Sequence, residues 1–190
     1  MQNNDFFPES HPAIFVDRDG TLIEEVNFLS RVDDLRIFDF TFNALKRLKN
    51  AGYLILVITN QSGISRGIFT ENDMHTIHSA MQDRLNGMID AFYFCPHLPN
   101  SGCRCRKPQT GMIEQAMADF SIDKSNSWMI GDKAIDVTTG QNAGLNTALV
   151  LTGYGSTDIE KLESKPTVTA ADFAEAVNRL LGPGAVEFLQ

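Results

Sequence analysis

Phe15-Val16-Asp17-Arg18-Asp19-Gly20-Thr21-Leu22 decides how this chain is read. The apolar run Ala13 to Val16 has the makings of a short buried strand, and it ends in two carboxylates one residue apart, with a glycine behind them. Strand residues i and i+2 point to the same side, so Asp17 and Asp19 can address one site at the strand's carboxyl end. Two like charges in an apolar surround persist where a cation shares them or where one holds a proton. Magnesium, a hard cation that favours carboxylate, carbonyl and phosphate oxygens, suits such a place. An isolated Asp-x-Asp-Gly is also a common turn, so the reading depends on the remainder of the chain.

Outward from that stretch the pattern alternates. Tyr53 to Ile58 is an uninterrupted apolar run, as in a strand covered on both faces of a parallel sheet, and it ends in Thr59-Asn60-Gln61-Ser62-Gly63. Ile89 to Phe94, Ser127 to Ile130 and Thr147 to Thr152 are further expected strands, with an edge strand at Val168. Helical spacing is expected over Thr41 to Gly52 with Thr41 as cap, over Thr70 to Gly87, Gly111 to Phe120, after Lys133 to about Gly144, near Asp158 to Glu163, and over Ala171 to Leu181. Met74, Ile77, His78, Met81 and Leu85 line one side of the second of these. His75 and His78 have no cysteine or carboxylate at ligand spacing and read as ordinary surface or edge residues. Glu24 to Asp39 is too irregular to assign.

The alternation predicts an α/β fold, a Rossmann-like three-layer sandwich around a central parallel sheet with right-handed crossovers. No repeat or low-complexity linker divides residues 1–190, so one domain without a separate cap is expected, its core over about 13–153. Ligands of such sheets collect beyond the strand carboxyl ends. Four polar clusters fall there or just after: Asp17/Asp19, Thr59/Asn60, the segment to Lys107, and Asp132/Lys133.

At 190 residues and 43% hydrophobic, the chain can bury a sizeable core. A net charge of −8 gives no basic footprint for a nucleic-acid backbone, so no nucleic-acid partner is expected and a polynucleotide phosphatase is disfavoured. An anionic small molecule remains compatible, provided the site supplies its own local cations. No stretch reaches the ~20 apolar residues of a membrane span, and Met1 to Ser10 is polar without a signal-peptide core. A cytoplasmic, monomeric protein without a membrane partner is the expectation. Cys95, Cys103 and Cys105 are odd in number and clustered, which fits metal binding better than a disulfide framework.

Together the clusters suit phosphoryl transfer, which gains mostly from positioning and charge neutralisation. Asp17 as nucleophile would form an aspartyl-phosphate, splitting one displacement into two. Asp19 is placed to protonate the departing oxygen and later to deprotonate water. Thr59 offers a hydroxyl, the Asn60 to Gly63 turn offers backbone N–H groups, Lys107 an ammonium, and Asp132 a third oxygen for magnesium. A phosphoacceptor signalling module carries similar acids, but an acid/base two residues beyond the nucleophile promotes hydrolysis instead.

Asp17-Arg18-Asp19-Gly20-Thr21, Thr59-Asn60, Lys107-Pro108 and Gly131-Asp132 with Asp136 resemble the four ordered motifs of the haloacid dehalogenase superfamily of phosphohydrolases. The resemblance implies magnesium held by Asp17, the backbone carbonyl of Asp19, and Asp132. Cys95-Pro96-His97 and Cys103-Arg104-Cys105, separated by five residues, supply three thiolates and an imidazole, a closed tetrahedral set suited to structural zinc with no position open to activate water. Such a loop is similar to that of the branch holding heptose bisphosphate phosphatases and histidinol-phosphate phosphatases. Asn60 to Gly67 and Gly131-Asp132-Lys133 look like the heptose form, which implies a sugar phosphate as substrate, with histidinol phosphate as the alternative. Glu25, Asn27, Asn60, Gln61 and Ser62 stand where the resemblance implies substrate contacts. Arg66, Arg106 and Lys133 are the candidates for a second anion site, because such a bisphosphate needs one.

Overall fold

The computed structural model describes residues 10–182; the polar amino-terminal stretch 1–9 lies outside them. Strands β1 (Ala13–Val16), β2 (Leu54–Asn60), β3 (Ala91–Cys95), β4 (Trp128–Gly131), β5 (Asn146–Val150) and β6 (Val168–Ala170) form one sheet in the order β3-β2-β1-β4-β5-β6. Every neighbouring pair is parallel. The crossovers carry α1 (Thr41–Asn50), α2 (Glu71–Arg84), α3 (Gly111–Asp119), α4 (Ala134–Ala143) and α5 (Gly155–Asp158), and α6 (Phe173–Leu181) follows β6.

The apolar runs are continuous because both faces of the sheet are covered. Ile14, Val16, Ile55 and Val57 point to one side and pack with Leu45 and Leu48 of α1, Ile77 and Met81 of α2, and Phe173 and Val177 of α6. Their alternates Ala13, Phe15, Leu56 and Ile58 point to the other and meet Met112, Ile113 and Ala116 of α3. Three layers result around a parallel sheet, as expected. From β1 the chain runs outward through β2 to β3 and then returns to β4 on the opposite side of β1. That reversal opens a crevice beyond the carboxyl ends of β1 and β4.

The helix expected near Asp158 to Glu163 begins earlier, as α5, and ends at Asp158 before a short 3-10 turn over Ile159–Lys161. Thr41 does not cap α1: its hydroxyl donates to the Leu22 carbonyl at 2.8 Å, and Phe40 holds the cap position without a side-chain bond. The hydroxyl goes to a carbonyl of the loop after β1 and so ties α1 to that loop. The unassigned segment 24–39 is a flap, closed at its base by Glu24 N–H to Arg36 O at 2.8 Å and Phe38 N–H to Leu22 O at 3.3 Å. Leu29 and Leu35 are buried and anchor it.

At the flap's tip Phe28 adopts φ 59°, a left-handed conformation that a bulky L-residue rarely takes. Such strain costs on the order of 1–2 kcal/mol. Phe28→Gly should therefore raise the thermal midpoint by about 2–8 °C, while Phe28→Ala, which keeps the strain, should not. Scanning calorimetry of the two variants beside the parent distinguishes them.

Candidate active site

The crevice is a cavity of about 290 Å³, lined by Asp17 and Asp19 after β1, Glu25, Asn27 and Phe28 of the flap, Thr59 to Ser62 at the end of β2, Lys107, and Lys133 and Asp136 after β4. Residues far apart in sequence meet here because the parallel strands deliver all their carboxyl ends to one edge.

Lys107 is the pivot. Its side chain is 2% exposed, and its ammonium lies 2.9 Å from Asp17 Oδ1, 2.6 Å from Asp136 Oδ1 and 3.0 Å from the Ile58 carbonyl. The ammonium donates to the Ile58 carbonyl, and the two carboxylates stand at ion-pair distance from it. Burial works against the charge, but Asp136 and Asp17 outweigh it and hold the Lys107 pKa above its ordinary value. Asn60 sets the lysine's backbone, accepting from Lys107 N–H at 3.1 Å and donating to its carbonyl at 3.3 Å.

Asp17 Oδ1 takes a second bond from Arg18 N–H at 2.8 Å, whereas no hydrogen bond among the described residues falls on Oδ2. Asp132 is fully buried, with Oδ2 accepting from Tyr154 N–H at 2.8 Å and Oδ1 without a partner among the described residues. Burial first, then the charge of Asp17, push the Asp132 carboxyl up to about 8. A Cβ on Gly20, whose φ is +80°, would lie 2.3 Å from Asp132 Oδ2. Only glycine lets the turn after Asp19 close over that carboxylate. Asp136, raised to about 6 chiefly by burial, accepts from Lys133 N–H at 3.0 Å and so also starts α4.

Oxygens of Asp17, Asp132 and Asp136 lie within 4.8 Å of one another. Among the described residues one Asp17 oxygen is free, one on Asp132 is unpartnered and the Asp19 carbonyl receives no backbone bond, so the donors are hard, anionic and undersatisfied. They fit a small divalent cation of the magnesium type.

Asp19 is held differently. Arg18, itself 1% exposed, donates from Nε to Oδ2 at 3.0 Å and from Nη2 to Oδ1 at 2.9 Å, and Gln61 Nε2 adds a bond to Oδ2 at 3.0 Å. Burial raises the Asp19 carboxyl, but Arg18 and Gln61 prevail and hold it below its usual value. Gln61 also donates to Thr59 Oγ1 at 2.7 Å, which leaves the threonine's own proton free to donate.

Beside the cavity, Cys95, His97, Cys103 and Cys105 bring their ligand atoms together, with separations of 3.1 to 3.6 Å along five of the six edges. A tetrahedron of ligands around zinc has edges of roughly 3.4–3.8 Å from Zn–N and Zn–S bonds of about 2.0–2.3 Å. The three thiols are free, and Cys95 closes β3 at the sheet edge that carries the cavity.

Comparison with known proteins decides the family. A family model described as HAD-hyrolase-like matches residues 104–176. A D-glycero-beta-D-manno-heptose-1,7-bisphosphate 7-phosphatase of Haemophilus ducreyi is 39% identical over 76% of this chain and 86% of its own. A D-glycero-D-manno-heptose-1,7-bisphosphate 7-phosphatase of Thermosynechococcus vestitus is 38% identical over 87% of this chain and 93% of its own. This chain belongs to that phosphatase family of haloacid dehalogenase-like hydrolases. A D,D-heptose 1,7-bisphosphate phosphatase from B. bronchiseptica, crystallised with magnesium and phosphate, superposes with a TM-score of 0.84 at 31% identity, over 90% of this chain and 98% of its own.

Within the phosphatase, the expected residues separate into two groups. Asp17, Asp19, Thr59, Lys107 and Asp132 converge, and Glu25, Asn27, Asn60, Gln61, Ser62 and Lys133 line the same cavity. Glu25 and Lys133 are paired at 3.1 Å, and Lys133 lies over the Tyr154 ring at 4.7 Å. Arg66 and Arg106 do not line it. The Arg66 guanidinium sits 5.9 Å from the centre of the Phe28 ring, and Arg106 donates to the His97 carbonyl at 3.0 Å beside a neighbouring cleft of about 390 Å³.

Sequence reasoning assigned Arg18 no role and took His78 for a surface or edge residue. His78 is buried: its ring stacks on Phe92 at 4.2 Å, and its Nε2 lies 3.3 Å from Arg18 Nη1. The signal was its place among Met74, Ile77 and Met81 on the apolar side of α2.

Burial, then the Arg18 charge, lower the His78 pKa to about 3 from 6.5. The unfolded chain takes up a proton below about 6.5 that the folded one refuses until about 3, so this group's contribution to stability falls as pH drops through that window, by at most about 1.4 kcal/mol per pH unit. Urea denaturation of parent and His78→Phe between pH 7 and 4 should show a shallower acid loss in the variant.

Proposed function

We propose that this phosphatase removes the 7-phosphate of D-glycero-D-manno-heptose 1,7-bisphosphate through an aspartyl-phosphate on Asp17. The observation that carries the chemistry is the asymmetry of Asp17, whose Oδ1 is clamped by Lys107 and Arg18 N–H while Oδ2 is left open. A clamped carboxylate presents one oxygen in a fixed direction, which is what in-line attack on phosphorus requires. The heptose bisphosphate names carried by relatives at 38–39% identity support the choice of substrate.

Magnesium on Asp17, the Asp19 carbonyl and Asp132 would neutralise the phosphoryl oxygens as charge gathers on them. Lys107 holds the nucleophile and adds a positive charge beside it. Thr59, with its own proton free, and the Asn60 to Ser62 turn donate to the phosphoryl oxygens. Asp19 gives a proton to the departing sugar oxygen and later accepts one from the water that releases inorganic phosphate. Lys133, paired with Glu25 at the cavity wall, is placed to meet further negative charge on the substrate.

Zinc on Cys95, His97, Cys103 and Cys105 is structural in this reading, since all four positions are taken by protein. Held by these four residues, it would close the loop between β3 and Lys107 and fix the lysine's approach to Asp17.

Phosphate release from both anomers of the heptose bisphosphate and from histidinol phosphate is the test. The 7-phosphate of the heptose should be released with the highest kcat/KM, Asp17→Asn should lose roughly a thousandfold or more, and chelation should abolish turnover until magnesium is restored. A higher kcat/KM for histidinol phosphate would overturn the substrate, and an active Asp17→Asn would overturn the route. Metal analysis should find zinc equimolar with the chain, and Cys105→Ser should lose it with a lower thermal midpoint.

A further inference from the structure

We propose that Arg18, itself seated by His78, is a positioning residue that aims Asp19 at the leaving oxygen; the role rests on the phosphatase reading above. A guanidinium this deeply buried is costly to keep unless its donors are matched, and an apolar side chain of similar size would fill the space as stably. Arg18 instead directs Nε and Nη2 in parallel at the two oxygens of Asp19, a fork that fixes the plane of the carboxylate as well as its distance.

The third nitrogen reaches a different kind of partner. Arginine has no acceptor, so the 3.3 Å contact between Nη1 and His78 Nε2 requires the lone pair on Nε2 and the ring proton on Nδ1. The ring is fixed in turn. It belongs to α2 and lies flat on Phe92 of β3, with centroids 4.2 Å apart and planes 15° from parallel. The orientation of Asp19, a residue just beyond the end of its strand, is thereby set by a helix and a strand on the far side of β2. Gln61 fixes the same carboxylate from the β2 side at 3.0 Å.

In the reaction, Asp19 first takes a proton from solvent, or keeps the one left by the water of the previous turnover; Asp17 then bonds to phosphorus, the bond from phosphorus to the leaving oxygen breaks, and that oxygen takes the proton from Asp19. The carboxylate left behind is the species that Arg18 and Gln61 hold here. It recovers a proton from the water that attacks the phosphoryl group on Asp17, and inorganic phosphate leaves. A sugar alkoxide is too basic to depart without that proton, whereas p-nitrophenolate departs without it. Because kcat/KM covers steps only through the first irreversible one, comparing these two leaving groups isolates the aim of Asp19 from general damage.

The experiment measures kcat/KM on the heptose bisphosphate and on p-nitrophenyl phosphate for His78→Phe, His78→Gln and Arg18→Lys. His78→Phe keeps an aromatic ring against Phe92 and removes the acceptor, His78→Gln restores an acceptor oxygen, and Arg18→Lys keeps the charge without the fork. The expected result is a loss on the order of tenfold or more on the sugar phosphate and under roughly threefold on the aryl phosphate for His78→Phe and Arg18→Lys, with substantial recovery in His78→Gln. Equal losses on both substrates, or none on either, overturn the proposal. Should His78→Phe fail to fold, Arg18→Lys alone carries the same two outcomes. Asp17→Asn in the same assay separates the failures: dead on both substrates with an unmoved ratio in the other variants sinks only the Arg18 role, whereas an active Asp17→Asn sinks the chemistry beneath it.

Discussion

A lysine ammonium enclosed by two carboxylates and a backbone carbonyl holds this structure's chemistry in place. Lys107 binds Asp17 at 2.9 Å and Asp136 at 2.6 Å with almost no access to solvent. Removing two acids and an amine from water is expensive, and well-packed apolar residues would serve stability as well or better. What the arrangement gains is direction. One oxygen of Asp17 is fixed so that the other is presented, and the acids of two separate segments, Asp17 after β1 and Asp132 with Asp136 after β4, lie close enough to share a divalent cation.

The sheet makes that gathering cheap in conformational terms. β1 and β4 are neighbours because the chain doubles back across β1, so Asp17 and Asp132 follow strands whose register pairs Val16 with Ile130. β2 on the other flank brings Thr59 and Asn60, and Asn60 reaches across to clamp the backbone of Lys107. The Cys95 to Cys105 loop leads along the chain to the same lysine. Each part of the periphery acts on one of two carboxylates: Lys107 and its supports on Asp17, Arg18 with Gln61 and His78 on Asp19.

How much of this was legible in the sequence follows from where each signal resides. The strands were legible because Ile55 to Ile58 must be apolar at every position when both faces are covered, and the acids because strand geometry converts an i, i+2 spacing into a common direction. The paired Cys-x-His and Cys-x-Cys were legible because ligand spacing is local. The flap was not, since two isolated antiparallel bonds hold it and neither leaves a periodic trace. Thr41 was misassigned because its acceptor, the Leu22 carbonyl, is nineteen residues away. His78 was misread for a like reason: its partner Arg18 lies sixty residues earlier. Arg66 and Arg106 show the limit from the other side, for composition supplies a charge and never the direction in which it points.

Attack on phosphorus by Asp17 is the step on which the chemistry turns, and covalent trapping tests it most directly. Enzyme quenched in acid during steady turnover of the sugar bisphosphate, reduced with borohydride and digested, should yield homoserine at position 17 in the parent and at no position in Asp17→Asn. Homoserine at another acid, or none anywhere while phosphate is still being released, would contradict it.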